Sequence, residues 1–286
     1  MTDRLVTHRA VTEDAIVRKL RRRAPLIGDD CAVIATPRKV DLLFTTDFSI
    51  EGVHFTRKST AQEVGYRSVA RSLSDIAAMG GTPRYCLISI ALAPWTDQRW
   101  INLLYRGIHK MLRQAKTSLA GGDISHAGQF VCDVMVCGFV AKGKALLRSG
   151  ARSGDILYVS GPLGGWRHKR VVEPRLDAGR KLIGKATACM DISDGLALDL
   201  HRLCKASGVA AKLESIPLLK GATIEQALHD GEDYELLYTA PPSVRVEGLR
   251  IGTIVKGKPG AITFQGKKVS TRGYDHLRAT TTTSPQ

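Results

Sequence analysis

Acidic residues recur beside glycine or hydroxyl residues in five short runs: Gly28-Asp29-Asp30, Thr45-Thr46-Asp47, Ser74-Asp75, Gly121-Gly122-Asp123 and Asp191-Ile192-Ser193-Asp194-Gly195. Carboxylates that converge without a counter-charge repel one another and are costly to desolvate. Such a set is suited to hard divalent cations that take oxygen ligands, and Mg2+ is favoured where phosphate oxygens complete the shell. The expected substrate is therefore a phosphate compound. Taken singly, each run has a bland reading: Gly-Asp-Asp is commonly a turn, and Asp191 or Asp194 would serve equally as caps of a helix starting after Gly195. Capping alone does not explain why five such runs, each at an expected strand or helix end, occur in a chain this basic.

The chain has no G-x-x-x-x-G-K-[ST] loop and no H-R-D or D-F-G set, so a nucleotide is not held in either of those ways. Phosphoryl transfer needs alignment and charge neutralisation more than a covalent nucleophile, and several aspartates sharing two or more Mg2+ ions would supply both. Glycines in the same runs let backbone amides approach phosphate oxygens.

These residues must be positioned by a sizeable scaffold, and 286 residues are enough for two domains of ordinary size. The apolar content of 43% with 24% charge describes a globular chain. No apolar run is long enough to cross a bilayer, and the first residues lack the uninterrupted apolar stretch of a secretory signal, so a cytoplasmic location is expected. Six cysteines, at 31, 86, 132, 137, 189 and 204, form no C-x-x-C pair and read as reduced, buried small hydrophobes. The net charge of +15 invites a nucleic-acid reading, which is disfavoured because the bases are scattered and no aromatic-rich RNA motif or C2H2 finger accompanies them. The densest cluster, Arg21-Arg22-Arg23, falls at the end of a helix whose start carries Thr12, Glu13 and Asp14, an arrangement that suits the helix dipole.

A strand over 42–46 is expected to deliver Asp47 at its end. Thr60 and Glu63 have the spacing of a capping box, predicting a helix from Thr60 towards Met79 that Gly80-Gly81 stops. Tyr66, Val69, Leu73 and Ile76 form its apolar stripe, while Arg67, Arg71 and Asp75, four apart, share another face. A strand over 85–93, a helix over 97–116 capped by Asp97, and a strand over 130–141 complete the first half. Composition turns to glycine, serine and charge around 148–155, where the domain boundary is placed: 1–147, then 148–279, then a disordered tail at 280–286. The second half is expected to hold strands over 156–160, 210–213, 234–239 and 249–255, and a helix over 195–206. Alternating strands and helices make the fold class α/β (α+β).

The runs IGDDCAVI (27–34), TTDFSIEGVHF (45–55), GYRSVARSLSDIAAMGGTPR (65–84), GGDIS (121–125), RSGARSGD (148–155), MDISDGLALDL (190–200), GEDYELLYT (231–239) and GYDHL (273–277) together make the chain resemble the thiamine-monophosphate kinase family, within the superfamily of aminoimidazole ribonucleotide synthetase. The resemblance implies transfer of the ATP γ-phosphate to thiamine monophosphate, with Mg2+ and usually K+. It also implies a two-domain fold whose N-terminal domains pair into a β-barrel in a homodimer. By the same resemblance Asp30, Thr45, Thr46, Asp47, Asp75, Asp123, Asp191 and Asp194 would ligate metal; Tyr105, Gly122, Asp123, Arg148 and Ser193 would hold ATP; and His54, Glu232 and Thr271 stand at substrate positions. No side chain is assigned as nucleophile or general base, because the substrate phosphate oxygen is already ionised at neutral pH.

Two places depart from the family. A short basic segment over 166–189 replaces a helix and a Pro-rich stretch. Thr271 and Leu277 stand where the family commonly has aromatics, so stacking on the substrate would be weaker or supplied differently. The alternatives are a nucleotide-binding relative that does not turn over, or a superfamily enzyme acting on another small phosphate compound. Hydrogenase-maturation relatives are disfavoured because the sequence ends Ser284-Pro285-Gln286 rather than in cysteine, and selenophosphate synthetases because no cysteine precedes Cys31.

Overall fold

Alternation along the strands of the first half separates a covered face from an open one. The computed structural model describes residues 13–166 and 171–274. It opens with α1 (Glu13–Leu20), then β1 (Ala32–Ile34), β2 (Val40–Ile50), α2 (Ala61–Ala78), β3 (Thr82–Leu92), α3 (Gln98–Gln114), β4 (Ser118–His126) and β5 (Val131–Ala141). The five strands make one sheet in the order β1-β2-β5-β3-β4, in which only β3 and β4 pair in parallel. Leu43, Cys86, Ile88, Cys132, Val134 and Val136 point to the face covered by the helices and are almost wholly buried. Phe48, Tyr85, Leu87 and Phe139 point the other way and are exposed.

Local signals start the two long helices as their sequences dictate. The Thr60 side chain accepts from the Glu63 backbone N–H, and Asp97 accepts from that of Trp100 at 2.7 Å. The helices then cross at glycines. A Cβ on Gly65 would stand 2.1 Å from the Leu104 carbonyl oxygen, and one on Gly107 would stand 1.9 Å from that of Gln62. No larger residue fits this crossing, which packs Leu73, Ile76, Leu104 and Ile108 into the first core.

The chain passes to a second sheet between Ala141 and Ile156. Its elements are β6 (Ile156–Val159), α4 (Leu176–Leu182), β7 (Ala188–Asp191), α5 (Leu196–Ser207), β8 (Ala210–Leu213), α6 (Ile224–His229), β9 (Leu236–Ala240), β10 (Leu249–Val255), β11 (Ile262–Phe264) and β12 (Lys267–Lys268), with strand order β12-β11-β8-β10-β6-β9-β7. α2 packs against both α4 and the edge strand β7, and Val172 and Tyr234 from the second half are buried in the first core. The two sheets therefore meet along α2.

Three sequence expectations change. β2 continues three residues past Asp47, which sits inside a long strand rather than at its end. Gly121-Gly122-Asp123 stands not at the end of an element but inside β4, paired with β3, where a Cβ on Gly122 would collide with the Ile88 carbonyl oxygen at 1.8 Å. The basic segment over 166–189 contains α4. Leu277, residues 280–286 and Thr12 lie outside the described residues. All six cysteines are free, and all but Cys137 are buried.

Candidate active site

Three of the five acidic runs meet where α2 faces β7. One carboxylate oxygen from each of Asp30, Asp75 and Asp191 lies within 4.8 Å of the others. Asp30 follows the turn before β1, Asp75 stands in the last turn of α2, and Asp191 ends β7. Each carboxylate is held by neighbours. Ser74 Oγ donates to Asp191 at 2.6 Å, the Thr45 hydroxyl donates to Asp75, and the Arg148 guanidinium donates to Asp30 at 2.7 Å. The Arg148 backbone N–H donates to Asp29 at 2.7 Å, which pins the Gly-Asp-Asp turn to the start of the second half.

Asp47 joins this group from β2, since the two-residue period puts Thr45 and Asp47 on the covered face beside α2. Burial raises the pKa of Asp47, with the Arg71 cation and a hydrogen bond from Asp75 opposing it. Burial also pushes Asp75 and Asp191 well above the usual carboxylate range, and the neighbouring carboxylates push them further: Asp47 for Asp75, Asp30 for Asp191. Without a cation the cluster resists full ionisation. Oδ2 of Asp30 is buried with no hydrogen-bond partner, so the donor set fits a hard cation that supplies the missing positive charge.

Beside the cluster opens a cavity of about 470 Å3. Asp47, Asp75, Asp191, Ser193 and Asp194 form one part of its lining, and Arg67, Arg71, Glu232, His54, Tyr234, Trp166 and Tyr274 form another. Arg67 and Arg71 donate to the two oxygens of Glu232 at 2.7 and 3.2 Å. Burial works against the Arg71 cation, yet Tyr234, Asp47 and Glu232 outweigh it, and its pKa rises. The cavity thus joins a carboxylate cluster to an arginine and aromatic wall.

Residues 28–140 match the family described as AIR synthase related protein, N-terminal domain. The thiamine-monophosphate kinase of Haemophilus influenzae is 34% identical over 254 residues, covering 77% of this chain and 76% of that protein. That of Rhodopirellula baltica is 34% identical over 290 residues and covers 91% of each chain. The solved structure of AaThiL complexed with AMPPCP and TMP superposes with a TM-score of 0.86 at 30% identity, covering 93% of this chain and 97% of that one. The chain belongs to the thiamine-monophosphate kinase family.

Of the residues that the family pattern singles out, the structure gathers Asp30, Thr45, Asp47, Asp75, Asp191, Ser193, Asp194, Arg148, His54 and Glu232 around the cluster and its cavity. Thr46 does not turn its hydroxyl to the cluster. It lies on the open face of β2 and donates to Asp133, which is in register with Ser89 and, beyond it, Asp123. Gly122 and Asp123 sit on exposed β4, and Tyr105 is half-buried on α3; none of the three lines the cavity. Thr271 is exposed and does not line it either. Tyr274, in the last matched run, and Trp166, from the basic segment, are aromatic residues that do line it.

Sequence reading missed Asp199. Asp194 does not cap α5; instead the buried Asp199 carboxylate, inside the first turn, accepts from the backbone N–H groups of Ser193 and Asp194 at 3.1 and 3.0 Å. Arg202 donates to both Asp194 and Asp199 at 2.5 and 3.0 Å. This fixes the loop that follows Asp191. Burial pushes Asp199 up to about 7, with the Asp194 charge adding to it. Its signal lay in the spacing Asp194…Asp199…Arg202, which only a formed helix brings together.

Proposed function

We propose that this chain transfers the γ-phosphate of ATP to thiamine monophosphate, giving thiamine diphosphate and ADP, with Mg2+ held by Asp30, Asp47, Asp75 and Asp191. The observation that carries the reading is the three-carboxylate group, two members of which, Asp75 and Asp191, line a cavity together with arginine and aromatic side chains. Family membership supports the same reaction. Mg2+, when bound, supplies the positive charge that screens the phosphates and stabilises the transferring group.

The chain's own residues do the positioning. Ser74, Thr45 and Arg148 orient the three carboxylates before any ligand arrives, so little reorganisation is needed on binding. Asp194 and Ser193, set by Asp199 and Arg202, extend the acidic side, and we include them in the nucleotide and metal set together with Arg148. Arg67 and Arg71 place guanidinium groups in the cavity with the planar geometry that phosphate oxygens accept. Glu232, bridged by them, adds a carboxylate suited to the cationic thiazolium and aminopyrimidine, and His54 shares that wall. No general base is required, since the attacking phosphate oxygen is already ionised.

Two further features belong to this proposal. Domains over 1–147 and 148–279 meet along α2, with the site between them. Two chains pair through the open face of the first sheet, along which Phe48, Tyr85, Leu87 and Phe139 are exposed and where Asp123, Gly122 and Thr46 also lie. Those three predicted ligand positions would then act near the interface, and K+ is a further cation to vary. Identification of the product with thiamine monophosphate against free thiamine tests the reaction. Thiamine diphosphate formed only from the monophosphate supports it, whereas ATP binding with no product excludes it.

A further inference from the structure

The turn that carries Trp166 is pinned to the substrate side of the cavity. Leu163 is fully buried, its N–H donates to the Pro217 carbonyl at 2.8 Å, and its carbonyl accepts from Leu219 at 2.7 Å. The next two N–H groups, of Gly164 and Gly165, both donate to Oδ1 of the buried Asp233 at 3.0 Å. Trp166 itself donates its N–H to the Gly231 carbonyl at 3.0 Å. Four successive residues are thus tied down, and the indole at the end of the run lines the cavity while 46% exposed.

Asp233 lies between Glu232 and Tyr234, both of which line the same cavity and both of which hold positive φ, 59° and 49°. That backbone turns Glu232 towards Arg67 and Arg71 while Asp233 faces away to the Gly164-Gly165 turn. One segment therefore sets both the acidic contact and the indole. The indole is thereby held at the wall of the cavity that His54, Glu232, Tyr234 and Tyr274 also line, where the flat ring of a bound ligand would meet it.

We propose that Trp166 is the residue of this chain that stacks on the aromatic, cationic part of thiamine monophosphate, and that Asp233 is its positioning residue. The inference rests on the reaction proposed above. An indole face attracts a cationic ring as well as covering it, which offsets the missing aromatic at Thr271. The other two tryptophans, Trp95 and Trp100, pack against each other and, through Trp100, against Phe130 in the first core. Trp166 is then the tryptophan whose fluorescence a bound thiazolium and pyrimidine would quench.

The test combines steady-state kinetics with fluorescence titration by thiamine monophosphate. Trp166→Ala is expected to raise the KM for thiamine monophosphate about tenfold, with the KM for ATP and kcat little changed. Trp166→Phe is expected to recover most of that affinity but to lose the quench. Asp233→Asn is expected to raise the same KM in the wild-type background and by a clearly smaller factor in Trp166→Ala, a coupling that general loosening of the fold would not produce, whereas equal factors in the two backgrounds would overturn the positioning role. An unchanged KM in a folded Trp166→Ala that turns over thiamine monophosphate, or a full quench in Trp166→Phe, would overturn the proposal while leaving the reaction standing. Absence of turnover by the wild-type chain would remove both.

Discussion

At the scale of single residues the site is defined by buried carboxylates that crowd one another. Asp75 and Asp191 have pKa values raised well above 3.8, chiefly by burial and then by each other's neighbours. The sign follows from linkage. A folded pKa above the unfolded value means that the fold binds protons more tightly, so this contribution is complete at acid pH and is lost as pH rises from about 4 through the raised values. Metal-free protein is therefore expected to lose stability on going from about pH 5 to neutrality, and Mg2+ at about 100 times its Kd is expected to return about 2.7 kcal/mol. Replacing Asp75 by Asn removes one of the repelling charges and is expected to raise the metal-free melting temperature at neutral pH while weakening the Mg2+ response. Thermal melts over pH, with and without Mg2+, check both points; a metal-free Asp75→Asn chain less stable than wild type at neutral pH would speak against the electrostatic account.

At the scale of elements, α2 does most of the positioning, because Arg67, Arg71 and Asp75 fall on one side of it and its other side packs on α3 and the sheet. The crossing with α3 is closed by backbone atoms against Gly65 and Gly107. Gly107→Ala is expected to cost about 1–3 kcal/mol, read as a lowered urea midpoint, since no flexible side chain can move aside. An unchanged midpoint would mean that the helices can separate freely. Elements with local signals were legible in the sequence: the Thr60 and Asp97 caps, the apolar stripe of α2, the strand over 249–255 and the helix α5 all depend on nearby residues. β4 was not, because glycines are poor strand formers and Gly121-Gly122 extends only through parallel pairing with β3. Asp199, Asp233 and Trp166 were hidden for a related reason: their roles rest on contacts made only after helix α5 and the turn at 163–166 have formed.

At the scale of the whole molecule, the meeting of the two sheets along α2 brings residues from both halves into one site, which is why runs far apart in sequence read as one chemical pattern. The open face of the first sheet is expected to pair two chains. A Phe48→Asp, Leu87→Asp variant is expected to sediment as a monomer where the wild-type chain sediments as a dimer; a wild-type monomer at micromolar concentration would refute that pairing. The account's central claim is that the aspartates from separate runs act together in phosphoryl transfer to thiamine monophosphate. It is tested most directly by the rate of thiamine diphosphate formation at saturating Mg2+ and ATP in wild-type, Asp75→Asn and Asp191→Asn chains, each checked for a cooperative melt. The expected result is Mg2+-dependent product formation by the wild type and a fall in kcat of about 10²–10³ in each folded variant. Wild-type rates in both folded variants would contradict it.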